Sequence, residues 1–305
     1  MNILVTGANG QLGKCIRDRV EKLGSHNNTY FYTDLNGDNT EYLDLIEEDE
    51  VKKYVKDRSI NVIINCAAYT NVDKAENDYE MAEAVNAFSP KYLAEAALSV
   101  GAKLIHISTD YVFNGQGFMP YTEDRMTLPT SVYGITKRMG EEYIQESGCK
   151  YLIFRTAWLY SEYGNNFVKT MLRLFNEKDE INVVNDQIGT PTYAGNLAEL
   201  IVNIVEATKP IEGKTTIPLL ENGIYHFTDE GIASWYDFAY QVWEHSEKFG
   251  VKINGVTTKE YGSKTNRPYY SVLDKTKYKT DFKGLYEPKH WHNGVYEVVT
   301  KLLDK

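Results

Sequence analysis

The sequence lacks long apolar runs, and no segment approaches the roughly 20 consecutive apolar residues that a membrane-spanning helix needs. Cysteine is also scarce, because only Cys15, Cys66 and Cys149 occur in 305 residues. These three are widely spaced and match neither a metal-binding motif nor a disulfide framework. The opening segment MNILVTGANG has no basic region and no small-residue cleavage site. We therefore expect a cytoplasmic protein with no membrane partner and no bound metal.

An excess of positive charge is absent as well. Lys and Arg number 33 against 43 Asp and Glu, which gives a formal net charge of −10. Proteins that bind nucleic acid non-specifically need a basic surface, so we expect no nucleic-acid partner. Small anionic ligands remain compatible with this charge, because a few backbone N–H groups and one arginine can hold a phosphate.

Strand-like and helix-like segments alternate through the first half of the chain. Helical spacing of apolar residues follows the first strand, at Leu12, Ile16, Val20 and Leu23. We predict strands at 2–7, 29–34, 61–68, 102–109 and 151–160, and helices at 47–57, 80–101, 132–148 and 196–208. The strands are apolar without alternation, which is typical of a parallel sheet covered on both faces. The predicted fold class is α/β, with a Rossmann-like doubly wound parallel sheet.

The alternation loosens after about residue 160, where shorter elements and loops follow. A smaller substrate-binding domain that interleaves with the sheet accounts for this change, since 196–208 again resembles a sheet-covering helix. We predict a dinucleotide-binding domain at 1–160 plus about 190–210. The substrate-binding domain is predicted at about 161–189 and 211–305.

A glycine-rich turn connects the first strand to the first helix. In VTGANGQLG, Gly7, Gly10 and Gly13 stand at G-x-x-G-x-x-G spacing. Such a turn lets the backbone approach a pyrophosphate and aims the first N–H groups of the helix, here at Gln11 and Leu12, at its oxygens. The strand–turn–helix context predicts a dinucleotide site rather than a plain connection.

Three further segments are candidate cofactor contacts. Asp34 ends the second strand roughly 20 residues after the glycine turn, where a carboxylate can accept hydrogen bonds from ribose hydroxyls. Its charge disfavours a 2′-phosphate, and no Lys or Arg follows in DLNGDNTEYLD, so these residues favour NADH. Asp44 and Leu45 are candidates for the adenine edge, with a turn before the next helix as the alternative. The end of the third strand predicts close approach of the cofactor at Ala67, Ala68 and Tyr69.

Tyr133 and Lys137 form a Y-x-x-x-K pair on the helix predicted at 132–148. Residues four apart share one helix face. A free phenol has a pKa of about 10, too high for ready proton transfer at neutral pH. A lysine ammonium one turn away favours the phenolate and lowers that pKa. The pair is therefore a candidate acid–base site, and a solvated helix face is the alternative.

Several longer motifs occur along the chain. They are TGANGQLG, NCAAYTNVDKAE, STDYVF, VYGITK, FRTAWLY, NNF, NDQIGTPT and RPYYSVLD. Through them the sequence resembles the extended short-chain dehydrogenase/reductases, and within these the dTDP-4-dehydrorhamnose reductase family, over nearly its whole length. The glycine turn and Y-x-x-x-K are signals of the whole superfamily, whereas STDYVF, DKAE and NDQIGTPT are much narrower.

The resemblance implies an NAD(P)H-dependent oxidoreductase that reduces the C4 ketone of a dTDP-linked sugar. Thr109 would hydrogen-bond the sugar carbonyl, Tyr133 would protonate it as hydride arrives, and Lys137 would bind the nicotinamide ribose. The residues implied around the sugar nucleotide are Asp110, Tyr111, Trp158, Asn166, Gln187, Thr190 and Arg267. Core packing is the alternative for Trp158, and a surface ion pair is the alternative for Arg267. The family more often uses NADPH, so NADPH and NADH both remain open.

Tyr111 distinguishes this motif from the similar one of sugar-nucleotide 4,6-dehydratases, which carry a glutamate base at that position. A phenol without its own lysine is a poor base near pH 7, so STDYVF favours reduction over elimination. Another sugar-nucleotide ketoreductase or epimerase stays open, as does a non-catalytic regulatory subunit like that of methionine adenosyltransferase. GKC and Gly195-Asn196 stand where some relatives carry acids for a metal-linked dimer, so a homodimer is left open without such a metal.

Overall fold

A parallel sheet of seven strands forms the centre of the protein. Its structure is a computed structural model that describes residues 1–24, 27–210, 217–262 and 265–304. The strands are β1 (Asn2–Thr6), β2 (Thr29–Asp34), β3 (Glu41–Tyr42), β4 (Val62–Asn65), β5 (Lys103–Thr109), β6 (Lys150–Thr156), β7 (Leu159–Tyr160), β8 (Glu180–Val184), β9 (Ile188–Gly189), β10 (Thr192–Tyr193), β11 (Gly223–His226), β12 (Ala233–Ser234) and β13 (Lys252–Val256). The order across the main sheet is β11-β6-β5-β4-β1-β2-β3, and each neighbouring pair is parallel. The predicted Rossmann-like α/β class is confirmed.

The helices of the described residues include those that cover both faces of this sheet and those that lie beside it. They are α1 (Gln11–Leu23), α2 (Glu48–Asp57), α3 (Val72–Ala75), α4 (Tyr79–Glu83), α5 (Ser89–Val100), α6 (Val132–Glu146), α7 (Phe167–Glu177), α8 (Ala194–Glu206), α9 (Trp235–Ser246), α10 (Thr258–Tyr261), α11 (Thr276–Asp281) and α12 (Trp291–Leu303). Short 3-10 turns lie at Asp110–Val112 and Pro218–Leu220, and a π-helical turn lies at Ala84–Phe88.

Each face of the sheet has its own apolar core, because successive side chains of a strand point to opposite faces. Val5 and Ile64 pack with residues of α1 and α8 on one face. Leu4 and Ile63 pack with residues of α2 and α5 on the other. All four side chains are fully buried. Burial on both faces requires continuous apolar strands, which is the pattern that the sequence shows.

The strand order determines where a ligand can bind. From β1 the chain continues to β2 on one side of the sheet, whereas from β4 it continues to β5 on the other. In open α/β sheets, ligands bind beyond the carboxyl ends of the strands at such a switch point. The glycine turn after β1 and Thr109 at the end of β5 both lie at this edge.

Three predicted elements differ from the structure by more than two residues at one end or in helix type. The strand predicted at 151–160 ends at Thr156, because Trp158 has a left-handed φ of 49° and pairing resumes only in β7. The strand predicted at 61–68 ends at Asn65, whose side chain accepts a hydrogen bond from the Ala67 N–H at 3.1 Å and forms a turn. The helix predicted at 80–101 contains the π-helical turn between α4 and α5.

A third apolar core lies beside the sheet, where α7, α9 and α12 enclose Phe175, Phe238 and Trp291. The parallel pair β8 and β13 packs against it. These elements fall in the ranges predicted for the substrate-binding domain. The range 211–305 also supplies β11, which pairs with β6 at one edge of the main sheet. The division into two domains stays a prediction.

Candidate active site

The glycine turn between β1 and α1 has the geometry that a pyrophosphate site needs. Gly7 has a φ of 61°, which favours glycine, and a Cβ added there would lie 2.6 Å from the Ala67 nitrogen. The Gly10 N–H donates to the Gly7 carbonyl at 3.0 Å and closes the turn. A Cβ on Gly13 would lie 2.5 Å from Cα of Ala8. Since α1 begins with no side-chain cap and no acidic residue, its first N–H groups suit an anion.

Gln11 and Leu12 are both predicted cofactor contacts, but they differ in which part of the residue lies at the glycine turn. The Leu12 side chain is buried in the apolar core, so its backbone is the part at the turn. The Gln11 Oε1 accepts hydrogen bonds from Ser161 Oγ at 3.1 Å and from Asn166 Nδ2 at 3.0 Å. Gln11 therefore ties the glycine turn to the segment before α7.

Asp34 stands at the end of β2, beside the glycine turn. One carboxylate oxygen accepts from the Asn9 N–H at 2.9 Å, and the other accepts from the Leu35 N–H at 2.8 Å. These bonds fix the carboxylate and leave it lone pairs for further donors, since two oxygens offer about four acceptor sites. The residues therefore fit ribose hydroxyls.

The other predicted cofactor contacts lie along the same edge. Ala67 lies under the glycine turn, and Ala68 and Tyr69 follow it, both half-buried. Asp44 accepts a hydrogen bond from a backbone N–H two residues on, at 3.1 Å, and Leu45 packs in the apolar core. The contacts of Asp44 and Leu45 agree with the turn alternative. Cofactor contact stays a prediction for all five residues.

Thr109 and Tyr133 come together at the carboxyl end of β5. Thr109 is buried at the end of the strand, and Tyr133 lies in the first turn of α6, which Ser131 caps by accepting from the Gly134 N–H at 3.2 Å. The Thr109 hydroxyl is close enough to the Tyr133 phenol to lower its pKa. Thr109 Oγ1 also donates to Asp110 Oδ1 at 3.0 Å. Two hydroxyls that converge in this way can reach one carbonyl oxygen.

Tyr133 does not have the lowered pKa that the Y-x-x-x-K spacing predicts. Burial raises the pKa of Tyr133 to about 12, with the Thr109 hydrogen bond lowering it and the Asp110 charge raising it. A phenol in this environment holds its proton at neutral pH. Tyr133 therefore suits proton donation to an oxygen that is becoming negative, and does not suit proton abstraction.

Lys137 is fully buried against β5 and points to that strand. Its Nζ donates to the Ile107 carbonyl at 2.7 Å and lies 3.2 Å from His106 Nε2. Burial lowers the pKa of Lys137 to about 8, while the Glu141 carboxylate raises it. His106 was not predicted as a site residue, although a single polar residue within the apolar run AKLIHI indicates that it needs a buried partner.

Asp110 and Tyr111 form the 3-10 turn that follows Thr109. Burial raises the pKa of Asp110 to about 6, while hydrogen bonds from Ser271 and Thr109 lower it. The Tyr111 and Tyr133 rings meet edge to face with centroids 5.5 Å apart. Burial raises the pKa of Tyr111 above its usual value. Tyr111 is thus a poor base, in agreement with the interpretation of STDYVF as a motif without an elimination base.

The structure contains a cleft of about 910 Å³, a volume that is usual for ligand sites. Its lining includes Asp73, Phe167, Ile181, Gln187, Trp235 and Arg267. Arg267 donates to Asp73 at 2.9 Å, and Gln187 donates to Thr258 at 3.1 Å. The charges of Arg267 and Asp73 both act on the Tyr111 phenol, which lies just beyond the carboxyl end of β5.

Known proteins share this architecture. A family model described as "RmlD substrate binding domain" matches residues 1–303. The chain belongs to this RmlD family. A dTDP-4-dehydrorhamnose reductase of Aggregatibacter actinomycetemcomitans is 41% identical over 301 residues, 97% of each chain. A crystal structure of a Clostridium acetobutylicum dTDP-4-dehydrorhamnose reductase is 40% identical, with a TM-score of 0.87 over 99% of this chain and 100% of that one. The Bacillus anthracis enzyme of that name, crystallised in complex with NADP, is 35% identical, with a TM-score of 0.86 over 98% and 99%. The resemblance drawn from the motifs is confirmed.

In this RmlD family member, a tryptophan that the sequence analysis missed lines the cleft. Trp235 stacks on Trp158 with ring centroids 3.7 Å apart and planes 9° apart. Gly189 makes room for this pair, because a Cβ there would lie 2.6 Å from Trp158 Cε2. Trp158 thus supports the Trp235 ring, as the packing alternative expects. Its contact with a sugar stays a prediction.

Asn166 and Thr190 use their side chains within the protein. Asn166 caps α7 by accepting from the Lys169 N–H at 3.2 Å, and its amide also donates to Gln11. Thr190 is buried and donates to the Gly231 carbonyl at 3.0 Å. These bonds hold the segments around the cleft and the glycine turn. A contact of either residue with the nucleotide stays a prediction.

A buried ion pair that the sequence analysis also missed supports the end of β5. Arg155 of β6 donates to Glu141 of α6 through Nη2 at 2.6 Å and through Nε at 2.9 Å. Ser108, next to Thr109, bonds to the same carboxylate. The sequence feature that indicates this ion pair is the arginine inside the otherwise apolar segment YLIFRTAWLY.

Within the described ranges, the structure contains no helix whose length and apolarity would allow it to cross a bilayer. In the same residues, no cluster of three or more His, Cys, Asp or Glu side chains is arranged to hold a metal ion. The three cysteines are free thiols.

Proposed function

We propose that this chain reduces the C4 ketone of dTDP-4-dehydro-L-rhamnose to dTDP-L-rhamnose with NAD(P)H. The observation that carries the proposal is the convergence of Thr109 and Tyr133 at the end of β5, at the edge of the sheet where the glycine turn also lies. The names of the relatives at 41% and 40% identity support this choice of substrate.

Each residue of the site has its own role in the proposed reaction. When bound, NAD(P)H supplies the hydride that adds to the sugar C4. Tyr133 gives its phenolic proton to the C4 oxygen, so that hydride and proton together turn the ketone into an alcohol. Thr109 hydrogen-bonds the same oxygen and orients it. Tyr133 is left as a phenolate, which the charge of a protonated Lys137 stabilises.

The cofactor is proposed to be NADPH or NADH. The glycine turn and the free start of α1 fit the pyrophosphate of either. The negative charge of Asp34 would repel a 2′-phosphate, and therefore favours NADH, whose 2′-hydroxyl is free. The Bacillus anthracis relative, in contrast, was crystallised with NADP. A cytoplasmic location and a homodimer stay predictions.

The test is an assay of the purified protein with dTDP-4-dehydro-L-rhamnose made in situ, with NADPH and NADH oxidation followed separately by absorbance. Wild-type protein should oxidise at least one cofactor. Tyr133→Phe keeps the ring but removes the proton, and should lower kcat by about 10²–10⁴-fold with unchanged cofactor binding. Tyr296→Phe is the matched control, since it removes the hydroxyl of an exposed tyrosine on α12 that we place outside the site.

Two results would overturn parts of this proposal. If the protein binds the cofactors but oxidises neither, the substrate is a different sugar nucleotide or the chain is a non-catalytic subunit. If Tyr133→Phe reduces the substrate at the wild-type rate, Tyr133 is not the proton donor.

A further inference from the structure

Four buried polar side chains form a series of close polar contacts that ends at Lys137. Thr6 Oγ1 donates to Asn65 Oδ1 at 2.8 Å, and Asn65 Nδ2 lies 3.1 Å from His106 Nδ1. His106 Nε2 in turn lies 3.2 Å from Lys137 Nζ. Sheet register places Thr6 beside Asn65 and Asn65 beside His106. Each of the four is at most 1% exposed, so their polar atoms depend on one another.

The backbone fixes the direction of these hydrogen bonds. The Ala67 N–H can only donate, and it lies 3.1 Å from Asn65 Oδ1, so this atom is the amide oxygen. The Asn65 Nδ2 therefore faces His106 and donates to Nδ1. Burial holds the pKa of His106 well below its usual range, so the imidazole is neutral. Its single proton is then on Nε2.

The Nε2–H of His106 points at Lys137 Nζ. An ammonium has three N–H donors and no acceptor. An ammonium at Lys137 would therefore place its N–H groups against the Nε2–H of His106, with no lone pair to accept either one. An uncharged amine has a lone pair that accepts it, and still donates to the Ile107 carbonyl at 2.7 Å. Every polar group in this series of hydrogen bonds has a suitable partner only when Lys137 is uncharged. Burial acts in the same direction on this lysine.

Few charges oppose this preference. On α6 itself, Glu141 raises the pKa of Lys137, but Arg155 of β6 pairs with Glu141 at 2.6 Å. Asp110 lies on the 3-10 turn after β5, and its charge raises the pKa of the Tyr133 phenol. The neighbours from β4 and β5, Asn65 and His106, are uncharged.

We propose that His106 is a positioning residue of this site, which holds the Lys137 side chain against β5 and favours its uncharged amine form. The inference rests on the proposed function, in which the Lys137 ammonium stabilises the Tyr133 phenolate. His106 thereby brings the titration of Lys137 close to neutral pH. Hydride transfer should be lost as the pH rises through that titration.

The first test is ¹⁵N spectroscopy of the histidines in the full-length protein, because imidazole nitrogen shifts report which nitrogen carries the proton. His106 should be the Nε2–H tautomer at about pH 7. His226 is the internal control, since its Nδ1 lies 3.2 Å from the Asp274 carbonyl and must carry the proton there. His106→Gln and His226→Gln assign the two signals. A His106 protonated on Nδ1, or on both nitrogens, would overturn the proposal.

The second test reverses the direction of the bonds. In Asn65→Asp, a carboxylate oxygen can accept from His106 Nδ1–H, so that Nε2 presents a lone pair to Lys137 and favours its ammonium. Single-turnover hydride transfer should then be lost at a pH about one unit higher than in wild type, and the spectrum should show the change of tautomer. His226→Gln should leave the pH profile unchanged.

A shifted profile without the change of tautomer would assign the effect to the added charge and overturn the role of His106. The spectroscopic test needs no substrate. If dTDP-4-dehydro-L-rhamnose is not turned over, the proposed function fails while the tautomer of His106 still decides this inference.

Discussion

Replacing Asp110 by asparagine should stabilise the protein at neutral pH while it impairs reduction. The Asp110 side chain is 2% exposed, and burial raises the pKa of its carboxyl from 3.8 to about 6. Asparagine has nearly the same shape, carries no charge and keeps an oxygen that accepts from Thr109. The substitution therefore removes the cost of burying a carboxylate.

The expected magnitude follows from the linkage between proton binding and folding. The folded protein keeps the Asp110 proton up to about pH 6, whereas the unfolded chain releases it near pH 3.8. Wild-type stability therefore falls as the pH rises through this window. A difference of about 2 pKa units corresponds to about 3 kcal/mol. Asp110→Asn should gain almost nothing at about pH 4 and about 3 kcal/mol in free energy of unfolding at about pH 7.5.

Urea unfolding of both proteins at these two pH values measures the effect, because the difference at each pH cancels the titration of all other groups. Asp38→Asn, at an exposed carboxyl, is the matched control and should change neither stability nor activity. Equal stability of wild type and Asp110→Asn at about pH 7.5, or a gain that is the same at both pH values, would refute the reasoning. At the same time kcat/KM for the sugar nucleotide should fall, since Asp110 is predicted to hold the sugar.

Three further substitutions test other parts of the molecule. Gly13→Ala should weaken NADPH and NADH binding, because its Cβ would lie 2.5 Å from Cα of Ala8 and displace α1, and an unchanged Kd in a fluorescence titration would contradict this. Trp235→Ala should raise KM for the sugar nucleotide far more than KM for NADPH, because Trp235 lines the cleft, and steady-state kinetics measures both. Arg155→Met should lower the free energy of unfolding by about 3–5 kcal/mol, because it leaves Glu141 buried and unpaired, and Glu141→Leu in the same chain should restore most of this in urea.

The strands of the sheet were the most predictable part of the fold. The strand predicted at 29–34 is β2, Thr29–Asp34, and the one predicted at 102–109 is β5, Lys103–Thr109. Burial on both faces of a parallel sheet leaves a continuous apolar segment in the sequence, bounded by turn residues. The glycine turn was predictable for a similar local reason, since Gly7 needs its left-handed φ where the chain passes from strand to helix.

The end of β6 could not be predicted from its own residues. The segment YLIFRTAWLY is apolar on both sides of the break, so its pattern contains no sign that Trp158 turns out of the strand. What permits this turn is distant in sequence, namely the space left by Gly189 and the stacking of Trp235. Long-range packing of this kind has no local signature.

The same limit explains which site residues were missed. The polar residues His106 and Arg155 are visible as interruptions of apolar strands, which indicates that each needs a partner. Which partner each has depends on the strand order and on the register of α6 against β5. Lys137 was predicted by its spacing from Tyr133, but its contact with His106 required the structure.

The buried polar groups at the carboxyl end of β5 are better explained by chemistry than by folding. Asp110 is buried with its pKa raised, which means that the folded state is less stable for its charge. Lys137 is buried with its pKa lowered, so its charge also opposes folding. Apolar residues of similar volume at these positions would pack in the same core without either penalty. The charges of both groups lower the stability of the folded state, and the proton transfer that we propose for Tyr133 is what they can serve.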